Sequence, residues 1–274
     1  MGEIKLIGFD LDGTLLNEDK RVSERNKQAL RECLRQGLQI ILVSGRPYCF
    51  TRMIADSISH EVEVIAANGG IYEIGNRCVQ QVLNQEALKS AITIIEKNEV
   101  CAFFKGKREF YTHEPYDERF LYDHMNHLFS RDTSVRSYTN LSWEELRLKA
   151  HDIVKILVYA SSDRLQAARR ELEGIEELTL TDYQKISFDI NAYGVNKGMA
   201  IREVLASKNL TKENFLAFGD GNNDISMFDE AGYTIAMGNA NQVIRDYCDT
   251  VTDSCLADGV ALGLDKVLGI KTER

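Results

Sequence analysis

The sequence predicts an α/β fold: a parallel sheet with crossover helices, interrupted by an inserted α+β domain. Two observations carry this. Up to Asn68, apolar runs of strand length alternate with amphipathic helical stretches, the spacing of strands joined by crossover helices. The pattern changes near Leu83 and resumes after Gly194, so the sheet-forming core is discontinuous. The core is expected over 1–83 and 190–274, with 84–189 as the insert.

The opening apolar run, Leu6 to Phe9, ends abruptly in Asp10-Leu11-Asp12-Gly13. Ser23 is placed to cap a helix that runs through Arg35, with Leu30, Cys33 and Leu34 on one face and Gly37 as its stop. Leu38 to Val43 is a second strand, ending at Ser44-Gly45-Arg46-Pro47, and Val62 to Ala67 is a third, ending at Asn68-Gly69-Gly70. In the insert, Gln85 to Lys97 reads as a helix, Ala102-Phe103-Phe104 as an aromatic strand segment and Tyr116 to Phe129 as a polar helix with a solvated face. Trp143 begins a short helix, Ile153 to Tyr159 is a strand and Arg164 to Leu172 a helix; strands surround Thr179 and cover Ser187 to Asn191. Asn196-Lys197-Gly198 opens a helix with Ile201, Val204 and Leu205 on one face. Asn214 to Phe218 is a strand that runs into Gly219-Asp220-Gly221-Asn222-Asn223-Asp224. Short strands at Tyr233 to Met237 and Thr250 to Thr252 and a helix from Gly259 to Leu268 complete the core.

The 274 residues are 27% charged and 44% apolar, the balance of a globular protein with a proper core. No apolar stretch approaches the roughly 18 residues of a membrane span, and the N-terminus lacks a signal-peptide layout, so a cytoplasmic protein is expected. A formal charge of −9 argues against nucleic acid or an anionic membrane as partner. No obligate protein partner is evident. The six cysteines are scattered without a Cys-x-x-Cys pair and are expected as reduced thiols. His124 and His127 have a spacing that zinc ligands can use, but no third ligand accompanies them, and a solvated helix face is the expectation.

Ligands of parallel sheets gather at the carboxyl ends of the strands, where Asp10, Ser44 and Asn68 all lie. Asp12-Gly13 alone is an ordinary strand end, but Asp10 precedes the turn residues. Side chains two apart on an extended segment point the same way, about 6 to 7 Å from each other, a gap that holds one phosphoryl group. An ionised Asp10 can attack phosphorus while Asp12, once protonated, gives a proton to the departing oxygen and later takes one from water. Asp220 and Asp224 are four apart and form a second acidic cluster at the same sheet edge; alone it reads equally as a helix cap. Two carboxylates about 4 Å apart repel by roughly 4 kcal/mol at an effective dielectric constant near 20, and a hard divalent cation answers this. All-oxygen ligands fit Mg2+ best. Lys197, at a helix start, can pair with Asp10 and a phosphate oxygen. Ser44 and Gly45 offer a hydroxyl and an amide to another oxygen, or are a mere turn. Gly219-x-Gly221 lacks the third glycine of a dinucleotide site.

In order along the chain, Asp10-Leu11-Asp12-Gly13-Thr14-Leu15, Ser44-Gly45-Arg46, Lys197-Gly198 and Gly219-Asp220-Gly221-Asn222-Asn223-Asp224 resemble the four motifs of the haloacid dehalogenase-like (HAD) phosphatases. The Cof-type subfamily is matched further by Ala67-Asn68-Gly69, Gly194-Val195-x-Lys197-Gly198, Met237-Gly238-Asn239-Ala240 and Asp258-Gly259-Val260-Ala261. The resemblance spans the core and, of the insert, only its size and position. One departure is the absence of the family's proline from Asp189-Ile190-Asn191-Ala192-Tyr193-Gly194.

The resemblance implies a Rossmann-like core with an α/β cap domain, Asp10 as nucleophile and Asp12 as general acid/base. It implies magnesium held by the Asp10 side chain, the Asp12 carbonyl and Asp220, with Asp224 supporting through water or orienting Lys197. It also implies phosphate bound by the Leu11 amide, Ser44, Gly45, Lys197 and Asn223. The expected function is a magnesium-dependent phosphatase of small phosphate monoesters, sugar phosphates first and a flavin or pyridoxal phosphate as other substrates the family resemblance allows, working through a phospho-aspartate. A phosphomutase using the same aspartate and a catalytically silent binding or regulatory protein are the alternatives. Lys155, Lys185, Tyr183, Tyr116 and Tyr48 are candidates for substrate selection only as polar or aromatic residues near plausible strand ends.

Overall fold

The computed structural model describes residues 2–75, 77–118, 122–130, 133–184 and 186–272. The chain begins with β1 (Leu6–Phe9), α1 (Glu24–Arg35), β2 (Gln39–Val43), α2 (Tyr48–Ile58), β3 (Glu63–Ala66), β4 (Ile71–Ile74) and β5 (Arg77–Gln80). Then come α3 (Gln85–Lys97), β6 (Cys101–Lys105), β7 (Glu109–Tyr111), β8 (Arg136–Tyr138), α4 (Trp143–Lys149), β9 (Lys155–Tyr159), α5 (Ser162–Leu172), β10 (Leu178–Gln184) and β11 (Ser187–Ala192). It closes with α6 (Lys197–Ser207), β12 (Phe215–Gly219), α7 (Ile225–Asp229), β13 (Tyr233–Ala236), α8 (Gln242–Tyr247), β14 (Thr250–Val251) and α9 (Gly259–Leu268). Two compact units result: Met1–Arg46, Thr51–Cys78 and Asn196–Arg274 form the first, Pro47–Phe50 and Val79–Val195 the second.

Among the described residues the first unit's sheet has the order β14-β13-β12-β1-β2-β3-β4-β5. From β14 to β3 every neighbouring pair is parallel. All four β1 residues are buried, as a strand covered on both faces requires. In α1, Ser23 Oγ accepts the Asn26 amide, and Asn26, Ala29, Leu30 and Cys33 form the buried stripe. Leu34 lies off that stripe and is half-buried. The β4–β5 extension has no counterpart in the apolar pattern, because β4 is a short antiparallel strand with only two of its four residues buried.

The second unit's sheet, β10-β11-β9-β6-β7-β8, is antiparallel except for β7 against β8. Ala102, Phe104, Ile156, Val158, Phe188 and Ile190 alternate onto one face and share a core with α3, α4 and α5 through Leu88, Ile92, Leu146, Ala168 and Leu172. The polar helix expected over Tyr116 to Phe129 is instead a 3₁₀ stretch at Asp123–Leu128, with 119–121 outside the described residues. None of its six residues is buried, so no packed face offsets the cost of helix nucleation. No described helix is long and apolar enough to cross a membrane.

Candidate active site

The site grows from the register of three neighbouring strands. Phe9 of β1 pairs with Phe218 of β12 on one side and Leu42 of β2 on the other, all parallel, so Asp10, Asp220 and Ser44 leave the sheet at one edge. The Asp10 amide donates to the Phe218 carbonyl at 3.0 Å and extends this pairing one residue beyond the strand. Asp10, Asp220 and Asp224 each present a carboxylate oxygen, and the three lie within 4.8 Å of one another. Gly13 is required here: its φ is +86°, and a Cβ on it would stand 2.2 Å from Asp220 Oδ2.

Lys197 opens α6 behind Asn196, whose side chain accepts the Met199 amide. Gly198 lets α6 approach α7, since a Cβ there would meet the Ser226 carbonyl at 2.0 Å. The Lys197 ammonium, 1% exposed, donates to Asp10 Oδ1 at 2.5 Å and to Asp224 Oδ1 at 2.6 Å. Burial disfavours its charge, but the two carboxylates outweigh burial and raise its proton affinity. The other Asp224 oxygen accepts the amides of Asp220 and Gly221 at 3.0 and 2.9 Å. Asp224 therefore holds its own loop through one oxygen and the lysine through the other.

Burial pushes the Asp10 carboxyl well above its ordinary value; Lys197 opposes this, while Asp224 and Asp220 add to it. Asp220 is pushed up to about 6 by burial and then by Asp224, against a hydrogen bond from Thr14 and the charge of Lys197. Three carboxylates around one ammonium leave a negative excess in a buried place. Hard oxygen donors in that excess fit a divalent cation such as Mg2+, with Asp10, Asp220 and Asp224 as the candidate side chains.

Asp12 points elsewhere. Arg46 holds it with Nε to Oδ2 and Nη2 to Oδ1, both at 2.5 Å, and Lys20 reaches Oδ1 at 3.2 Å. Burial would raise this carboxyl, but the guanidinium and then the ammonium prevail and hold it below the usual carboxylate value. Leu11 is buried and its amide donates to no described residue. Ser44 Oγ is buried and accepts the Arg46 amide at 3.1 Å, which leaves its own proton to donate. Gly45 lies against Asn68, whose Oδ1 would be 2.7 Å from a Cβ at that position. Asn223 sits in the 3₁₀ turn Asn222–Asp224 beside Gly221.

Two contributors are absent from the sequence reading of the site. Arg46 was only part of a motif, yet it is the partner of Asp12; the signal was a lone guanidinium beside a site rich in acids. Asn239 donates to the Gly13 carbonyl at 2.8 Å, lies 3.5 Å from Asp220 Oδ2, and accepts the Cys255 amide at 2.9 Å. Of the residues weighed for substrate selection, Lys155 and Tyr48 are buried and Tyr116 is exposed. Lys155 is thus no surface residue; Lys185 and the Tyr183 side chain lie outside what is described. His124 Nδ1 lies 3.1 Å from Tyr116 Oη, and His127 Nδ1 3.2 Å from the His124 carbonyl.

The chain is similar to known proteins along nearly its whole length. Residues 7–264 match the family model of the haloacid dehalogenase-like hydrolases. The 5-amino-6-(5-phospho-D-ribitylamino)uracil phosphatase YcsE of Bacillus subtilis is 28% identical over 261 residues, which cover 94% of each chain. Phosphatase YwpJ of the same organism is 30% identical over 282 residues, 94% of this chain and 98% of its own. Among solved structures, a haloacid dehalogenase-like hydrolase from B. subtilis superposes with a TM-score of 0.81 at 27% identity, covering 97% of this chain and 100% of that one. One from Bacteroides thetaiotaomicron gives 0.82 at 24%, with the same coverage.

Proposed function

The chain belongs to the haloacid dehalogenase-like hydrolases, and from that premise we propose a magnesium-dependent phosphatase that hydrolyses small phosphorylated metabolites through a phospho-aspartate at Asp10. The observation that carries this is the gathering of Asp10, Asp220 and Asp224 within 4.8 Å, with the Lys197 ammonium bonded to Asp10. That is a nucleophile held by one ammonium, beside carboxylates that could hold the divalent cation phosphoryl transfer also needs.

When bound, Mg2+ held by Asp10, the Asp12 carbonyl and Asp220 supplies charge that offsets the phosphoryl oxygens. Asp10 attacks phosphorus in line; a P–O bond forms to its carboxylate as the bond to the leaving oxygen breaks, and Asp12 gives that oxygen a proton. Water then attacks the phospho-aspartate while Asp12 takes its proton. Lys197 neutralises one transferring oxygen, and the Leu11 amide, Ser44, Gly45 and Asn223 orient the others. Arg46 keeps Asp12 in the proton-accepting form of the second half-reaction. For the first half it must yield, and an incoming phosphate is a competing partner for a guanidinium.

The second unit is assigned to substrate selection. Sugar phosphates and related polyol phosphates are the first class to test, a choice supported by the ribityl phosphate in the name of the B. subtilis relative YcsE. Six cysteines with no disulfide among the described residues support a reducing compartment, the cytoplasm. The test is phosphate release from simple monoesters with Mg2+ and with EDTA. Release that needs Mg2+ but no bisphosphate activator supports a phosphatase over a phosphomutase, and no release under any condition refutes the reading.

A further inference from the structure

Lys105 and Lys155 are register partners on β6 and β9, and they are only 5% and 4% exposed. Their strand neighbours Phe104 and Ile156 belong to the helix-covered core, so both lysines emerge on the opposite face of the sheet, as do Ser187 and Asp189 of β11 beside Phe188 and Ile190. The cluster is unbalanced. Lys155 Nζ donates to Asp189 Oδ2 at 2.8 Å, whereas the Lys105 ammonium makes no hydrogen bond to any described residue; its neighbour is the Tyr122 ring, 5.7 Å away. Ser187 Oγ is also buried without a partner among the described residues.

We propose that Lys105, with Lys155 beside it, forms an oxyanion subsite in the second unit that takes a carboxylate or phosphate group other than the one hydrolysed. A buried ammonium with three unspent N–H donors is unfavourable, and an oxyanion satisfies them. Losing the proton is the other relief, and burial followed by the charge of Lys155 brings Lys105 down to about 7, against Asp189 and Cys49. Among the described residues these three groups and Tyr122 face it. An arriving oxyanion pulls Lys105 back to the ammonium, so binding weakens as pH rises through neutrality.

The anion can be part of the substrate or a free ion, and only the first case rests on the phosphatase reading. Wild type, Lys105→Met and Lys105→Arg are compared with Mg2+ on p-nitrophenyl phosphate, on a hexose monophosphate that is neutral beyond its phosphate, and on phosphoglycerate, which adds a carboxylate. Calorimetric titration with malonate probes a free dianion. Lys105→Met removes an unpaired buried charge at similar length, so the fold is retained. A KM for phosphoglycerate raised about tenfold or more in Lys105→Met, restored in Lys105→Arg and unchanged for p-nitrophenyl phosphate, places the anion on the substrate. Malonate binding lost in Lys105→Met with all three esters unchanged makes it a free anion at this same subsite. Malonate binding that is absent or equal in all three proteins, together with kinetics that are unchanged or fall equally on every ester, overturns the proposal. If wild type hydrolyses no ester, the phosphatase reading fails and the malonate arm alone decides the subsite.

Discussion

Replacing Lys197 with methionine tests the electrostatics of the site most severely. The ammonium holds Asp10 at 2.5 Å and Asp224 at 2.6 Å in a place where it is itself 1% exposed. Without it, carboxylates within 4.8 Å of one another lose their counter-charge. At that separation and an effective dielectric constant of about 20, each ionised pair repels by roughly 3 to 4 kcal/mol, in line with the roughly 3 to 5 kcal/mol for breaking a buried ion pair. At about 2 to 4 °C per kcal/mol, the metal-free variant should melt roughly 6 to 20 °C below wild type. Added Mg2+ should recover part of that loss. Activity should fall by more than about a hundredfold, because a charge-assisted contact to the transferring group is gone. Thermal unfolding with Mg2+ and with EDTA, beside kcat/KM on p-nitrophenyl phosphate, reads both effects. A variant that melts like wild type without metal and keeps activity within tenfold would refute the placement of Lys197 between the two carboxylates.

Asp10→Asn should abolish turnover and leave a folded protein, checked by steady-state kinetics beside circular dichroism. It should also raise the metal-free melting temperature, because it removes a buried negative charge from an acidic cluster. Asn239→Ala should weaken Mg2+ binding by about tenfold to a hundredfold, measured by titration calorimetry, because the residue ties the Gly13 carbonyl to the Asp220 loop. The raised value of Asp220 gives a signed pH effect: the folded state binds its proton more tightly than the unfolded chain does. Without metal, the stability this contributes is full below 3.8 and is lost as pH rises through about 6. Melting curves in EDTA should show that decline, and the increase in melting temperature on adding Mg2+ should grow over the same interval. A metal effect that is flat across it would contradict the assignment of Asp220 as a ligand.

The sheet was legible because its strands are buried on both faces and so read as unbroken apolar runs, Leu6 to Phe9 and Phe215 to Phe218 among them. Acids that end such runs have no packing reason to be there, which singled out Asp10 and Asp220. The β4–β5 pair escaped notice because it is short and only partly buried, with no run to detect. The 3₁₀ stretch at Asp123–Leu128 was misjudged because its polar pattern matches a helix only where a partner face exists, and none of its residues is buried. The Arg46 hold on Asp12 depends on side chains 34 positions apart, which no local pattern reveals. Lys105 and Lys155 sit inside apolar strands, and strand alternation turns such lysines to the face opposite their apolar neighbours. That this second face is also buried, and that among the described residues Asp189 is bonded to Lys155 and not to Lys105, follows from tertiary structure alone.

The central claim is that Asp10 is transiently esterified by the substrate's phosphate. Rapid acid quench of the enzyme turning over a phosphate monoester in Mg2+, followed by peptide mass spectrometry, measures this directly. The account predicts one phosphate on the peptide containing Asp10, formed no slower than turnover and missing from Asp10→Asn. A wild-type enzyme that releases phosphate while that peptide never gains it, or an Asp10→Asn variant that still turns over, would contradict it.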